Sequence, residues 1–116
     1  FYRKDRVQNL ITRLKKTVIR KNMGWCDDPK SKKYNKLIYF PFKLSAEKLY
    51  RKENIYDIIL VLNFNMNPVK KNKGSAIFLH LTSKKYMPTK GCIAIKRGDF
   101  LKILPYIDKK TKIFIN

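Results

Sequence analysis

The sequence predicts a small, mainly β domain with one or two short helices. Three observations carry that prediction. Apolar runs rich in β-branched and aromatic residues recur as short segments: YDIILVLNFN at 56–65, SAIFLHL at 75–81 and GCIAIK at 91–96. Polar loops containing Gly, Pro and Asn separate them. Helix signals are few and short. At 116 residues the chain supports one domain, and its 44% hydrophobic content is too high for a disordered chain.

Taken in order, residues 12–20 mix β-branched and basic residues and read as an edge strand guarded by lysine. Residues 22–36 hold Gly24, Asp27, Asp28, Pro29, Ser31 and Asn35, which is loop chemistry, although the single tryptophan, Trp25, lies there. Residues 37–42, LIYFPF, read as a short extended segment interrupted by Pro41. Ser45 is an N-cap for a short helix over 45–50. Residues 56–65 form the strongest strand, apolar enough to be buried on both faces. Residues 65–74 are a polar loop, 75–81 a strand, 82–90 a loop and 91–96 a third core strand. Gly98-Asp99 offers a cap for a helix through Leu104, stopped by Pro105, and residues 112–115 close the chain as a short strand. No internal repeat or low-complexity tract is present.

The charge is extreme. With 28 Lys and Arg against 8 Asp and Glu, the formal net charge is +20. Three readings compete: a Lys-rich surface of no specific function, attraction to an acidic polymer, and binding of nucleic acid. Of the 28 cations, 22 are Lys and 6 are Arg, scattered with no run longer than a pair. Arginine forks are what read guanine and grip phosphate, so this balance speaks against a sequence reader. No helix-turn-helix, zinc spacing or RNA-binding aromatic signature accompanies it. No apolar run approaches the ~20 residues of a membrane-spanning helix.

The chemistry-bearing residues are few. His80 is the only histidine, and Cys26 and Cys92 are the only cysteines. His80 ends one expected strand and Cys92 starts the next, directly after Gly91. A thiol needs a neighbouring base to ionise near neutral pH, and imidazole is suited to that task. Glycine before the nucleophile lets a carbonyl approach the backbone, where N–H groups can hold an oxyanion. The bland alternatives are a small buried Cys92 and a structural His80. One His and two distant Cys lack zinc-type spacing, so no metal site is expected.

Gly74-Ser75-Ala76-Ile77-Phe78-Leu79-His80 followed by Pro88-Thr89-Lys90-Gly91-Cys92-Ile93-Ala94 resembles the active-site segment of the L,D-transpeptidase catalytic domain, the YkuD-like family. That family's hallmark is an upstream His, a variable loop, then Ser or Thr, any residue, Gly and Cys. These fall on His80, Thr89, Gly91 and Cys92. Gly24-Trp25-Cys26-Asp27-Asp28-Pro29, Tyr34-Asn35, Tyr56-Asp57 and Asn63-Phe64-Asn65 resemble a subgroup of it. Lys90 stands where many members have His, and Ala94 where many have Arg, with Arg97 carrying no assigned role in its place. The loop between His80 and Cys92 is short for the family.

The resemblance implies a YkuD-like mixed β-sheet sandwich. The whole of 1–116 is expected to be one catalytic domain lacking its N-terminal portion, in a protein of the periplasm or cell envelope whose targeting segment lies outside this chain. It implies acyl transfer on peptidoglycan stem peptides: Cys92 as nucleophile, His80 as general base and acid, and the backbone at Gly91 as oxyanion hole. Thr89 orients His80 or binds a substrate carboxylate. Tyr86 and Trp25 are either walls of the cleft or core aromatics. No metal or organic cofactor is expected, nor a nucleic-acid partner, and the acceptor (an amine or water) and oligomeric state stay open. Three readings of Cys26 also stay open: a small buried residue, a disulfide partner of Cys92, or a neighbour of the site. Asp27 and Asp28 cap turns or place charge beside the substrate amine. Lys84, Lys85 and Lys90 are the cations nearest the expected site. The competing function is a basic, non-catalytic module that holds the anionic cell wall, with nucleic-acid binding behind it.

Overall fold

A computed structural model describes residues 1–66, 68–82 and 93–114. Among these residues the fold is mainly β, with six short strands in two three-stranded sheets and one short helix. The strands are β1 (Met23–Cys26), β2 (Leu37–Tyr39), β3 (Ala46–Lys48), β4 (Ile59–Val61), β5 (Phe78–Leu81) and β6 (Ile93–Ile95). Helix α1 (Arg97–Ile103) continues into a 3-10 turn (Leu104–Tyr106).

The first sheet has β1 at its centre, antiparallel to both β2 and β3. In the second, β5 is central, antiparallel to β4 and parallel to β6. Period-two alternation explains how the layers stack. Met23 and Trp25 of β1, Ile59 of β4 and Phe78 of β5 share one buried cluster with Ile19, Leu49, Tyr56 and Ala76, which fills the space between the sheets. The opposite face of the second sheet presents Leu79 and Leu81, which join Val7, Leu10, Ile58, Phe100 and Leu104 in a second cluster. The order of layers is therefore sheet, sheet, helix. Phe78 and Phe100, one in each cluster, are fully buried.

Several expectations are corrected. Residues 12–20 form no strand; only Val18 bridges, to Tyr2, and the rest is too basic and poorly alternating to enter a sheet. The expected loop 22–36 contains β1, the centre of the first sheet, with all four residues buried. Gly24 is what allows it: a Cβ there would lie 2.6 Å from the Phe40 ring and 3.0 Å from the Glu47 carbonyl. The expected helix over 45–50 is strand β3, because Ala46, Glu47 and Lys48 pair with Cys26, Trp25 and Gly24. Tertiary pairing there overrides helix propensity. Ser45 does not cap a helix. Its hydroxyl donates to Asp27 Oδ1 (2.6 Å) and its N–H to Asp28 Oδ2 (3.3 Å).

The strand expected at 56–65 shortens to β4, with Ile58 and Ile59 buried on opposite faces as its composition implies. The strand expected at 75–81 begins only at Phe78, since Ala76 takes a left-handed φ of 57°. Helix α1 starts ahead of Gly98, with Lys96 as N-cap and Asp99 in the first turn, favourably placed for the helix dipole. Pro105 ends the α-helix by passing into the 3-10 turn. Residues 112–114 form no strand. Among the described residues no helix is long and apolar enough to cross a membrane.

Candidate active site

His80 sits on β5, on the face that meets the first sheet. Its neighbours in the register are Ile59 on β4 and Ala94 on β6. The alternation that buries Phe78 in the core carries His80 to the same side, and the residue is 5% exposed. Its Nδ1 lies 2.9 Å from the Leu81 carbonyl oxygen. A carbonyl only accepts, so this contact assigns the proton to Nδ1. In the neutral ring, Nε2 then carries the lone pair able to take a proton from a donor. The ring also stands edge-on to Tyr56, centroids 5.5 Å apart and planes at 81°.

Cys92, Gly91, Thr89 and Tyr86 lie outside the described residues, as do Lys84, Lys85 and Lys90. The description resumes at Ile93, the first residue of β6. Ala94, two positions after Cys92 in sequence, is paired directly with His80 in the parallel ladder. Among the described residues, no group of three His, Cys, Asp or Glu could hold a metal ion.

Trp25 belongs to the core. It is 4% exposed, stands edge-on to Phe78 at 5.3 Å, and donates its indole N–H to Asn35 Oδ1 at 2.9 Å. Cys26 is a fully buried free thiol, matching the small buried residue. Asp27 and Asp28 organise turns: Asp28 Oδ1 accepts from the Lys30 N–H (2.9 Å), and both carboxylates receive Ser45. The backbone hydrogen bonds from Lys30 and Ser45 hold the Asp28 carboxyl below the usual carboxylate range. Arg97 is committed elsewhere, with its guanidinium 3.6 Å from Asp57 Oδ2 and donating to the Arg6 carbonyl at 2.8 Å.

Two polar hubs escape sequence reasoning. Asn35 is 3% exposed. Its Oδ1 accepts from Trp25 Nε1 and from the Ala76 N–H (3.3 Å), while Nδ2 donates to the carbonyls of Phe64 (3.1 Å) and Asn65 (2.7 Å). It therefore ties β1 to both segments flanking the 65–74 loop. Asp57, 1% exposed, receives Arg6 at 2.9 Å beside Arg97. Tyr34-Asn35, Asn63-Phe64-Asn65 and Tyr56-Asp57 stand out in the sequence, and these hubs give those pieces a structural role.

Comparison with curated proteins and with solved structures returns no match. The model of the L,D-transpeptidase catalytic domain matches residues 2–115, nearly the whole chain. With a two-sheet β architecture and the single histidine on the central strand of the second sheet, the chain belongs to the L,D-transpeptidase catalytic-domain (YkuD) family.

Proposed function

We propose that the protein is a cysteine acyltransferase of the cell envelope that acts on peptidoglycan stem peptides, with Cys92 as nucleophile and His80 as its base. The observation that carries this reading is the state of His80: buried on β5, its Nδ1 proton engaged by the Leu81 carbonyl, and paired across the ladder with Ala94, two residues beyond Cys92. An imidazole held this way offers Nε2 for a proton.

The Cys92 thiol gives its proton to His80, and the thiolate attacks the carbonyl on the L side of an L,D peptide bond. The tetrahedral oxyanion is stabilised by backbone N–H groups at Gly91 and Cys92. The C–N bond breaks, His80 protonates the departing D-amino acid amine, and a thioester remains on Cys92. The amine of a second stem peptide then attacks the thioester, loses its proton to His80 and releases the thiol, leaving a 3→3 cross-link. Water as acceptor makes the same site a carboxypeptidase. Thr89 orients His80 or binds the substrate carboxylate, and Tyr86 walls the cleft. All of these steps use protein groups alone.

The test is the intact mass after incubation with a carbapenem, a mimic of the acyl donor. An adduct that maps to Cys92, is lost in Cys92→Ala and forms ~10²–10⁴-fold more slowly in His80→Ala is expected. A wild-type protein with no adduct overturns the reading. The net charge of +20 favours a second one, a basic module that binds the anionic wall without chemistry. In that case peptidoglycan pull-down weakens with salt and is indifferent to Cys92→Ala.

A further inference from the structure

We infer that Tyr56, tethered to Glu47, is the positioning residue that holds His80 in its working orientation, an inference that rests on the reading of His80 as the base. Among the described residues, His80 hydrogen-bonds to the carbonyl of its own neighbour Leu81. The Nδ1 contact does not by itself fix the tilt of the ring, on which the direction of Nε2 depends. Tyr56 supplies the wall that fixes that tilt. Its ring is 4% exposed and meets two side chains of β5 edge-on, Phe78 at 5.9 Å and His80 at 5.5 Å.

The ring is in turn anchored from the other sheet. The Tyr56 hydroxyl donates to Glu47 Oε1, and Glu47 lies on β3. Arg51 stands 3.5 Å from the same carboxylate oxygen, with its guanidinium 5.4 Å from the centre of the Tyr56 ring. A continuous series of contacts thus runs from Arg51 and Glu47 in the first layer, through Tyr56, to His80 in the second. Asp57, the next residue, is gripped by Arg6 and by Arg97 at the start of α1, directly after β6. The segment carrying Tyr56 is therefore also held by the N-terminal segment and by the start of α1.

His80 is the chain's only histidine, so its imidazole resonances identify themselves. The experiment compares the intact wild-type chain with Tyr56→Phe, Glu47→Ala, Glu47→Gln, the Tyr56→Phe/Glu47→Ala double variant and Tyr56→Leu. It reads the imidazole nitrogen and ring-proton signals by NMR across a pH series, and the rate of carbapenem adduct formation on Cys92. Wild type is expected to show the Nδ1-protonated tautomer. Cutting the tether in Tyr56→Phe or Glu47→Ala moves the His80 ring signals and slows acylation ~5–10-fold, the scale of one hydrogen bond. The double variant is no slower than the slower of the two single ones, because the tether is already cut in each. Glu47→Gln keeps an acceptor and restores the wild-type signals. Tyr56→Leu loses the wall and slows acylation ~100-fold, as expected when a reacting group is misplaced by about 1 Å.

Unmoved His80 signals and wild-type rates in Tyr56→Phe and Glu47→Ala overturn the inference. These two variants decide it if Tyr56→Leu does not fold. If wild type forms no adduct, the acyltransferase reading falls, and the His80 signals alone decide the positioning role: moved signals support it and unmoved signals overturn it.

Discussion

Replacing Asn35 by alanine should be among the most damaging single substitutions in the first sheet, although no catalytic role attaches to it. The side chain makes four hydrogen bonds, two accepted from Trp25 Nε1 and the Ala76 N–H and two donated to the Phe64 and Asn65 carbonyls. At ~0.5–1.5 kcal/mol net for each, their loss comes to about 4 kcal/mol. The indole N–H raises this figure, because Trp25 is 4% exposed and water has little access to its orphaned donor. The backbone adds a separate cost. Asn35 has a φ of 57°, a conformation asparagine tolerates better than alanine, by up to ~1 kcal/mol. The expected total is ~4–5 kcal/mol, or a melting temperature lower by roughly 16–20 °C for a domain of this size.

Circular dichroism melts and urea titrations of wild type, Asn35→Ala and Asn35→Gly measure both parts. Asn35→Gly removes the side chain but accepts the positive φ, so it should recover roughly 1 kcal/mol of the alanine loss. The tryptophan is unique, so its fluorescence reports the same event locally. A stability of Asn35→Ala within 1 kcal/mol of wild type refutes the hub. Equal losses for alanine and glycine would instead refute the backbone part.

Gly24→Ala puts a methyl group 2.6 Å from the Phe40 ring and 3.0 Å from the Glu47 carbonyl. The ring can move but the carbonyl cannot, so a loss of ~1–3 kcal/mol is expected in a urea titration. Asp57→Ala strips the buried partner from Arg6 and Arg97. Because both arginines are partly exposed and can rehydrate, the loss should fall near ~2 kcal/mol, below the 3–5 kcal/mol of a fully buried pair. Asp5 is held down to about 2 by the hydrogen bonds from Arg3. A depressed carboxyl stabilises the fold fully above its unfolded value and loses that contribution as pH falls through about 2. The melting temperature should therefore fall with acid below roughly pH 4, and less steeply in Asp5→Asn.

The second sheet could be read from the sequence because its strands are continuous apolar runs. Ile58 and Ile59, Phe78, Leu79 and Leu81, and Ile93 with Ile95 are buried or partly buried, and their apolar, largely β-branched or aromatic character agrees with that burial. The first sheet was hidden for the opposite reason. β1 is only four residues long and contains Gly24, while β3 is made of Ala46, Glu47 and Lys48, all good helix formers. Its strands are defined by their partners, which no local pattern contains. At the site, the place of His80 on a strand was legible from its apolar neighbours. The roles of Asn35, Tyr56 and Asp57 were not, since each acts through contacts made far along the chain, such as Asn35 with Asn65 and Arg6 with Asp57.

Short strands explain why such hubs are needed. Each strand here has only three or four residues, so its ladder makes few hydrogen bonds and resists slippage weakly. A one-residue slip of β5 would turn His80 away from the first sheet and Phe78 out of its cluster. Apolar packing alone is a poor guard against that slip, because Leu79 and Leu81 would enter the inter-sheet space about as readily as Phe78 leaves it. Directional groups do resist it. Asn35 accepts from Ala76, two residues ahead of Phe78, and the Ser75 hydroxyl donates to the Cys26 carbonyl at 2.6 Å. Both bonds fix the entry to β5 against β1, and the edge contact of Tyr56 then fixes the ring of His80. In a chain whose surface carries +20 of mutually repelling charge, these few buried polar contacts set the register on which the histidine's orientation depends.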